Sequence, residues 1–257
     1  MERRPLGSTG LTVSLLGLGT VKLGRTTGLK HPRPFQLPDS AAARRLLDCA
    51  RDLGINLLDT APAYGRSEER VGKLLGGTRD AWVLCTKVGE EFDAGRSHFD
   101  FSASHTRQSV ERSLRRLRTE RIDVVLIHSN GADLDILDRG DTLATLMRLQ
   151  ERGLIGAVGM SHKTAAGGRR ALELGCDVIM ATLNLDDLSE QALIAEAAAL
   201  GRGVLVKKAL ASGHAGVESL RFVAAQPGVS SVVVGTIDPG HLRANAAAVA
   251  GIDQPSP

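Results

Sequence analysis

Eight short apolar runs punctuate the chain, at 14–19, 55–59, 82–87, 122–128, 155–161, 177–183, 203–207 and 231–235. Each is bounded by turn-forming residues, and several are apolar at nearly every position. Strands buried on both faces have this pattern, as in a parallel sheet covered by helices. Between the runs lie stretches with helical spacing. Asp39 opens one whose Leu46, Leu47, Ala50 and Leu53 share a face, and Gly54 stops it. Ser67 is placed to cap the next, which ends at Gly76-Gly77. Ser104 precedes a helix with Val110, Leu114 and Leu117 at i, i+4 and i+7. Asp141 and Gly153 bracket a fourth, Gly175 closes a fifth, and Ser189 and Gly201 bracket a sixth. A weaker seventh covers 215–225, and Asp238-Pro239 opens the last, with proline in the first turn.

Eight strand–helix pairs predict an α/β fold of the closed (β/α)8 TIM-barrel type, since alternation of this kind builds a parallel sheet. The first 13 residues, with Gly7-Ser8-Thr9-Gly10 as a turn, predict a short N-terminal β-hairpin. The proline-rich stretch 31–38 reads as a loop. There is no internal repeat and no linker long enough to divide the chain, so 1–257 reads as one domain. Active sites of such barrels lie at the C-terminal ends of the strands. The residues there are Gly19-Thr20, Asp59, Lys87, His128, Ser161, Asn184, Lys207 and Gly235-Thr236. A random set of strand ends is seldom so polar.

Composition narrows the function classes. Hydrophobic residues make up 42% and charged residues 24%, an ordinary globular balance. No apolar run approaches the roughly 18 residues of a membrane helix. The opening Met1-Glu2-Arg3-Arg4-Pro5 lacks the apolar core of a secretory signal, so a cytoplasmic protein is expected. Cys49, Cys85 and Cys176 are an odd, scattered set without a CxxC, which predicts free thiols and no metal site. The net charge of +3 includes a basic run at Arg112, Arg115, Arg116, Arg118 and Arg121. With seven aromatic residues in the whole chain, stacking platforms for nucleic acid are lacking, and the run reads as a solvated helix face. The positive field still favours an anionic cofactor.

The chemistry concentrates at the second, third and fourth predicted strands. Asp59 and Lys87 are each expensive to bury alone, so they are expected to pair. Tyr64, the only tyrosine, follows Asp59 by five residues. A phenol titrates near 10, and a neighbouring ammonium lowers that value by favouring phenolate. His128 can donate a hydrogen bond to a carbonyl oxygen in the same pocket. Singly, each residue has an ordinary reading, as a turn aspartate, a lysine reaching solvent or a bonded strand-end histidine. Together they make a site able to protonate an alkoxide as it develops.

These segments resemble the aldo-keto reductase family. Leu57-Leu58-Asp59-Thr60-Ala61-Pro62-Ala63-Tyr64-Gly65 followed by Ser67-Glu68 is similar to its aspartate–tyrosine motif. Cys85-Thr86-Lys87-Val88-Gly89 resembles its lysine strand, and 121–128 its histidine strand. Gly235-Thr236 through His241-Leu242 and Asn245 resembles its C-terminal dinucleotide-binding segment. The resemblance runs from about Leu6 to about Ala248. It implies an oxidoreductase that passes hydride between NADP(H), or NAD(H), and the carbonyl of an aldehyde, ketone or sugar. Tyr64 is then the general acid, Lys87 lowers its pKa, Asp59 supports the lysine and His128 orients the carbonyl. The cofactor-binding residues implied are Gly19, Thr20, Asp59, Ser161, His162, Lys207, Lys208, Leu210, Gly213, Gly235, Thr236, His241 and Asn245. Gly17-Leu18-Gly19 lacks the third glycine and following helix of a Rossmann loop. The phosphates are expected near 207–213 and at the start of the last helix, whose free N–H groups suit an anion.

The sequence departs from the family pattern in places. His162 stands where an asparagine is common, Met180 where a glutamine is, and Lys207, followed by Lys208, where a nicotinamide-stacking aromatic is. His241 and Ala244 replace an arginine and an acidic residue. A lysine of the 207–208 pair is therefore expected to meet cofactor phosphate. These departures also support a second reading, a catalytically weak nucleotide-binding or regulatory module. A third is another barrel enzyme that binds a phosphorylated substrate at Gly235-Thr236. The expected substrate loops are 25–38, 90–102 and 129–140, carrying His31, Phe35, Phe92, Phe99 and Phe101. Phe99 and Phe101 either line an apolar pocket or pin their own loop. The short stretch after the last helix predicts a pocket without a long closing loop. Nothing in the sequence sets an oligomeric state.

Overall fold

In the computed structural model, which describes residues 1–29 and 34–251, the apolar runs pair into one closed ring. The strands are β1 (Arg3–Pro5), β2 (Thr12–Ser14), β3 (Leu16–Gly19), β4 (Leu57–Asp59), β5 (Val83–Val88), β6 (Glu90–Asp93), β7 (Arg96–Phe99), β8 (Ile122–His128), β9 (Ile155–Ser161), β10 (Val178–Thr182), β11 (Gly203–Lys207) and β12 (Ser231–Gly235). The antiparallel pair β1–β2 is the expected hairpin. The ring runs β3-β4-β5-β8-β9-β10-β11-β12 and returns to β3, every pair parallel. Its strands therefore all end at one mouth.

The helices are α1 (Ser40–Asp52), α2 (Ser67–Leu75), α3 (Ala103–Leu117), α4 (Asp133–Arg139), α5 (Thr142–Glu151), α6 (Ala165–Glu173), α7 (Gln191–Ala199), α8 (Val217–Ala224) and α9 (Pro239–Val249). Asp39 caps α1 by accepting from Ala42 N, and Asp238 caps α9 by accepting from Gly240 N. Two starts differ from expectation. Ser102, not Ser104, caps α3. Ser67 is already helical, and its hydroxyl donates away from the helix to Thr20. Two further elements, α4 and the β6–β7 hairpin, fill segments expected to be loops.

Alternation along each strand sorts side chains between two cores. The barrel interior holds Leu57, Val83, Cys85, Val124, Leu126, Ala157, Val178, Met180 and Leu205, closed at the base by Leu6 and Val13 of the hairpin. The outward set, such as Leu58, Leu84, Val125, Ile127, Val158, Ile179 and Val206, packs under the helices. Gly7, with φ +55°, lies so close to the start of β11 that a Cβ would meet Gly203 N at 2.3 Å. This seats the hairpin as a plug. Counting inward residues upward by twos brings Gly19, Asp59, Lys87, His128, Ser161, Thr182, Lys207 and Gly235 into one layer at the mouth. No helix of the described residues is long and apolar enough to cross a membrane.

Candidate active site

Lys87 is the deepest charge at the mouth, with its side chain 1% exposed. Its Nζ donates to Asp59 Oδ1 at 2.5 Å and to the Thr60 carbonyl at 2.9 Å. Burial pulls the ammonium toward neutrality, but the Asp59 carboxylate, with Tyr64 and Cys85 adding, reverses the balance and raises its pKa. Lys87 is therefore held as an ammonium. The same Nζ lies 4.8 Å from the centre of the Tyr64 ring.

Tyr64 ends a 3-10 turn, Pro62–Tyr64, that follows β4. Glycines fix this turn against the loop after β3. A Cβ on Gly24 would fall 2.2 Å from both Tyr64 O and Ser67 N, and one on Gly65 would fall 2.3 Å from Gly24 O. Arg25 Nη1 donates to Ala63 O at 3.0 Å while its guanidinium covers the Phe92 ring. Burial raises the Tyr64 phenol to about 12; Lys87 lowers it, but not enough to offset burial with Asp59 and Glu90. Lys87 thus acts on the phenol in the expected direction, and burial, which the sequence does not show, outweighs it. Tyr64 holds its proton.

His128 ends β8, and its ring meets that of Tyr64 edge-to-face, with centroids 6.2 Å apart. Its Nδ1 lies 2.9 Å from Glu90 Oε2, out of line for a hydrogen bond. Burial lowers the imidazole pKa; Glu90 opposes this and Lys87 reinforces it. For Glu90, burial acts upward, yet His128, Ser97 and Arg25 bring the carboxyl down to about 2. Glu90 was missed in the sequence reading. The signal was the turn Asp93-Ala94-Gly95 between two alternating stretches, which makes a hairpin and aims Glu90 at the mouth.

The other residues of interest separate into mouth and support. Gly19 and Gly235 pair in register and leave bare backbone; a Cβ on Gly235 would meet nothing nearer than Gly19 O at 3.8 Å. Thr20 is fully buried, its hydroxyl donating to Asp59 O and accepting from Ser67, so it ties β3 to β4. Lys207 Nζ donates to Ser161 Oγ at 3.0 Å and to His162 O at 2.5 Å. Burial first, then Lys208, draws this ammonium down to about 7, with Lys87 adding and Glu190 and Asp133 opposing. The His162 ring faces the other way. It is fully buried against Gly168 of α6, with Nδ1 3.2 Å from Glu190, so only its carbonyl reaches the mouth.

Beyond β11 the chain bends sharply, with Lys208, Ala211, Ser212 and Gly213 all at positive φ. The Leu210 carbonyl gathers the N–H groups of Gly213, His214 and Ala215. Lys208 is exposed. Thr236 accepts from Asp238 N, and Asn245 is buried in α9. The first turn of α9 already has an anion, since Asp238 takes the Gly240 N–H and lies 3.8 Å from the exposed His241. That helix end is less open to phosphate than the sequence suggests. Phe99 stacks on Phe101, which packs on Gly89, so these aromatics pin their own loop. His31 lies outside the described residues, as do 252–257. All three cysteines are free and buried, and no His/Cys/Asp/Glu cluster among the described residues suits a metal.

The barrel agrees with the comparisons. The Aldo/keto reductase family model matches residues 15–216, and the chain belongs to that family. Among solved structures, a Pseudomonas aeruginosa protein assigned to the aldo-keto reductases is 55% identical, with a TM-score of 0.90 over 97% of this chain and 94% of that one. Pyridoxal 4-dehydrogenase of Microbacterium luteolum is 31% identical over 82% of this chain and 71% of its own length. L-galactose dehydrogenase of Arabidopsis thaliana is 34% identical over 63% of this chain and 48% of its own. The chain spans about half the length of several curated relatives that it matches.

Proposed function

We propose that the protein is an oxidoreductase that reduces the carbonyl of an aldehyde, ketone or sugar, or runs the reverse oxidation, with Tyr64 as the proton donor. The observation that carries this reading is the set at the mouth: a buried ion pair Asp59–Lys87 against a half-buried, protonated Tyr64 that faces His128 edge-on. A carbonyl oxygen set between Tyr64 and His128 meets two donors. As negative charge grows on that oxygen, the fixed Lys87 ammonium stabilises it, and the phenol proton moves to it. Asp59 keeps Lys87 charged and in place. Glu90 stands behind His128 and adds negative charge beside its Nδ1.

The residues fit a dinucleotide. The bare backbone of Gly19 and Gly235 leaves a flat floor opposite the Tyr64–His128 wall, and Lys207 and Lys208 stand at its edge. When bound, the nicotinamide supplies hydride. Exposed Lys208 is suited to phosphate; set against the 2′-phosphate it makes NADP(H) the donor, with NAD(H) as the comparison in every titration. The partner is then a small carbonyl compound.

The test is oxidation of NADPH and NADH across a panel of aldehydes, ketones and sugars. The Tyr64→Phe variant is expected to lose about 10²–10⁴-fold in turnover while melting at the wild-type temperature. Dinucleotide binding without turnover on any substrate would replace this reading with that of a nucleotide-binding module.

A further inference from the structure

Among the described residues, Lys207 is the inward-facing cation of the mouth layer that pairs with no carboxylate. Lys87 is neutralised by Asp59, and His128 faces Glu90. Lys207 has only neutral acceptors, Ser161 Oγ and the His162 carbonyl, and among the described residues no carboxylate pairs with it. Its flanking charge is another lysine, Lys208. A half-buried ammonium held on neutral acceptors beside a second lysine gains from any negative charge brought to it.

The place of that missing charge is set by the strands. Lys207 belongs to the inward layer with Lys87 and His128, and its Nζ rests on Ser161, the register partner of His128. Neighbouring strands lie about 4.8 Å apart. The ammonium therefore stands within the length of a small molecule from a carbonyl held by His128 and Tyr64.

We propose that Lys207 receives an oxyanion carried by the substrate itself, so that the site takes small aldehydes or ketones bearing a carboxylate or a phosphate two or three bonds from the carbonyl. The proposal rests on the carbonyl-reductase reading of the same mouth. It separates the two lysines: inward Lys207 serves the substrate, and exposed Lys208 serves the dinucleotide.

Anion binding here carries a proton with it. The charged and titratable groups around Lys207 are Lys208 on its own strand end, Lys87 on β5, His128 on β8, Glu190 ahead of α7 and Asp133 on α4, while His162 turns only its carbonyl toward it. They leave the amine titrating at about 7 when the site is empty. An oxyanion favours the ammonium, so binding takes up a proton above that pH and weakens by about tenfold per unit as pH rises further.

The experiment compares wild type, Lys207→Met and Lys207→Arg. Turnover with NADPH is measured on 4-oxobutanoate against butanal, and on dihydroxyacetone phosphate against dihydroxyacetone, and is read as a ratio within each protein so that a common effect on the dinucleotide cancels. Succinate, an unreactive dianion, is titrated calorimetrically into each protein between pH 6 and 8.5. Lys207→Met is expected to lower at least one anionic-to-neutral ratio by tenfold or more and to abolish succinate binding. Lys207→Arg is expected to keep binding but lose its pH dependence. The pair whose ratio falls tells carboxylate from phosphate. Ratios unchanged in Lys207→Met, with NADPH affinity reduced, would hand the lysine to the dinucleotide and overturn the proposal. A wild type that turns over no carbonyl would sink the reductase reading alone, because the succinate titration still reports on Lys207.

Discussion

Lys87 shows how one side chain sets the electrostatics of the whole mouth. Its removal leaves Asp59 buried, 4% exposed, without a counter-charge. Lys87→Met is therefore expected to cost about 3–5 kcal/mol in urea unfolding, besides abolishing turnover. Adding Asp59→Asn should recover much of the stability and none of the activity, because the two residues are coupled. The phenol makes a second residue-scale prediction. With Tyr64 at about 12, the protonated form needed for reduction persists through neutral pH, and the phenolate needed for alcohol oxidation is scarce. The pH–rate profile of reduction should be flat from 6 to 9 as regards this group, while oxidation rises with pH, toward tenfold per unit. A fall in oxidation across that range would remove Tyr64 from the proton transfer. Asp59, Tyr64, Lys87 and His128 were legible because each has a distinctive residue type at a strand end or just past one. Glu90 was not, because its role depends on a hairpin that turns it back over the mouth. The sign of the Tyr64 shift was not legible either, since burial is a property of the packed site.

At the scale of elements, strands were read more closely than helix starts. The runs at β8, β9, β11 and β12 match residue for residue, because a doubly buried strand is apolar through its middle and turn residues mark its ends. Helix starts depend on which of several nearby polar groups takes the first N–H, and Ser67 shows the difficulty. Its hydroxyl binds Thr20 and so joins the loop after β3 to the helix behind Tyr64. These joints carry distinct consequences. Asp39→Ala removes a cap that bonds to none of the mouth side chains and should cost about 1 kcal/mol, seen as a lower melting temperature at unchanged kcat. Gly24→Ala places a Cβ 2.2 Å from the backbone of Tyr64 and Ser67. It should displace the tyrosine turn, so that turnover falls by far more than stability accounts for. Equal losses in the two variants would mean that the loop clasp does not position Tyr64.

For the molecule as a whole, closure of the ring gathers residues from 19 to 235 into a single layer. The repeat of eight runs made the barrel legible, and the polar strand ends made its working pole legible. The direction of each loop side chain was not, because it follows from contacts such as Arg25 over Phe92 and Phe101 on Gly89. Closure also puts two bare positions side by side. Gly235 is exposed, its φ is not in the left-handed region, and a Cβ there has room. The mouth can therefore be shut from its own floor. A leucine planted at Gly235 should occlude the dinucleotide space while altering stability by no more than about 0.5 kcal/mol, as dinucleotide titration and melting would show together. Such a variant, stoppered yet with Asp59, Tyr64, Lys87 and His128 untouched, would separate what the barrel does as a scaffold from the chemistry proposed for its mouth.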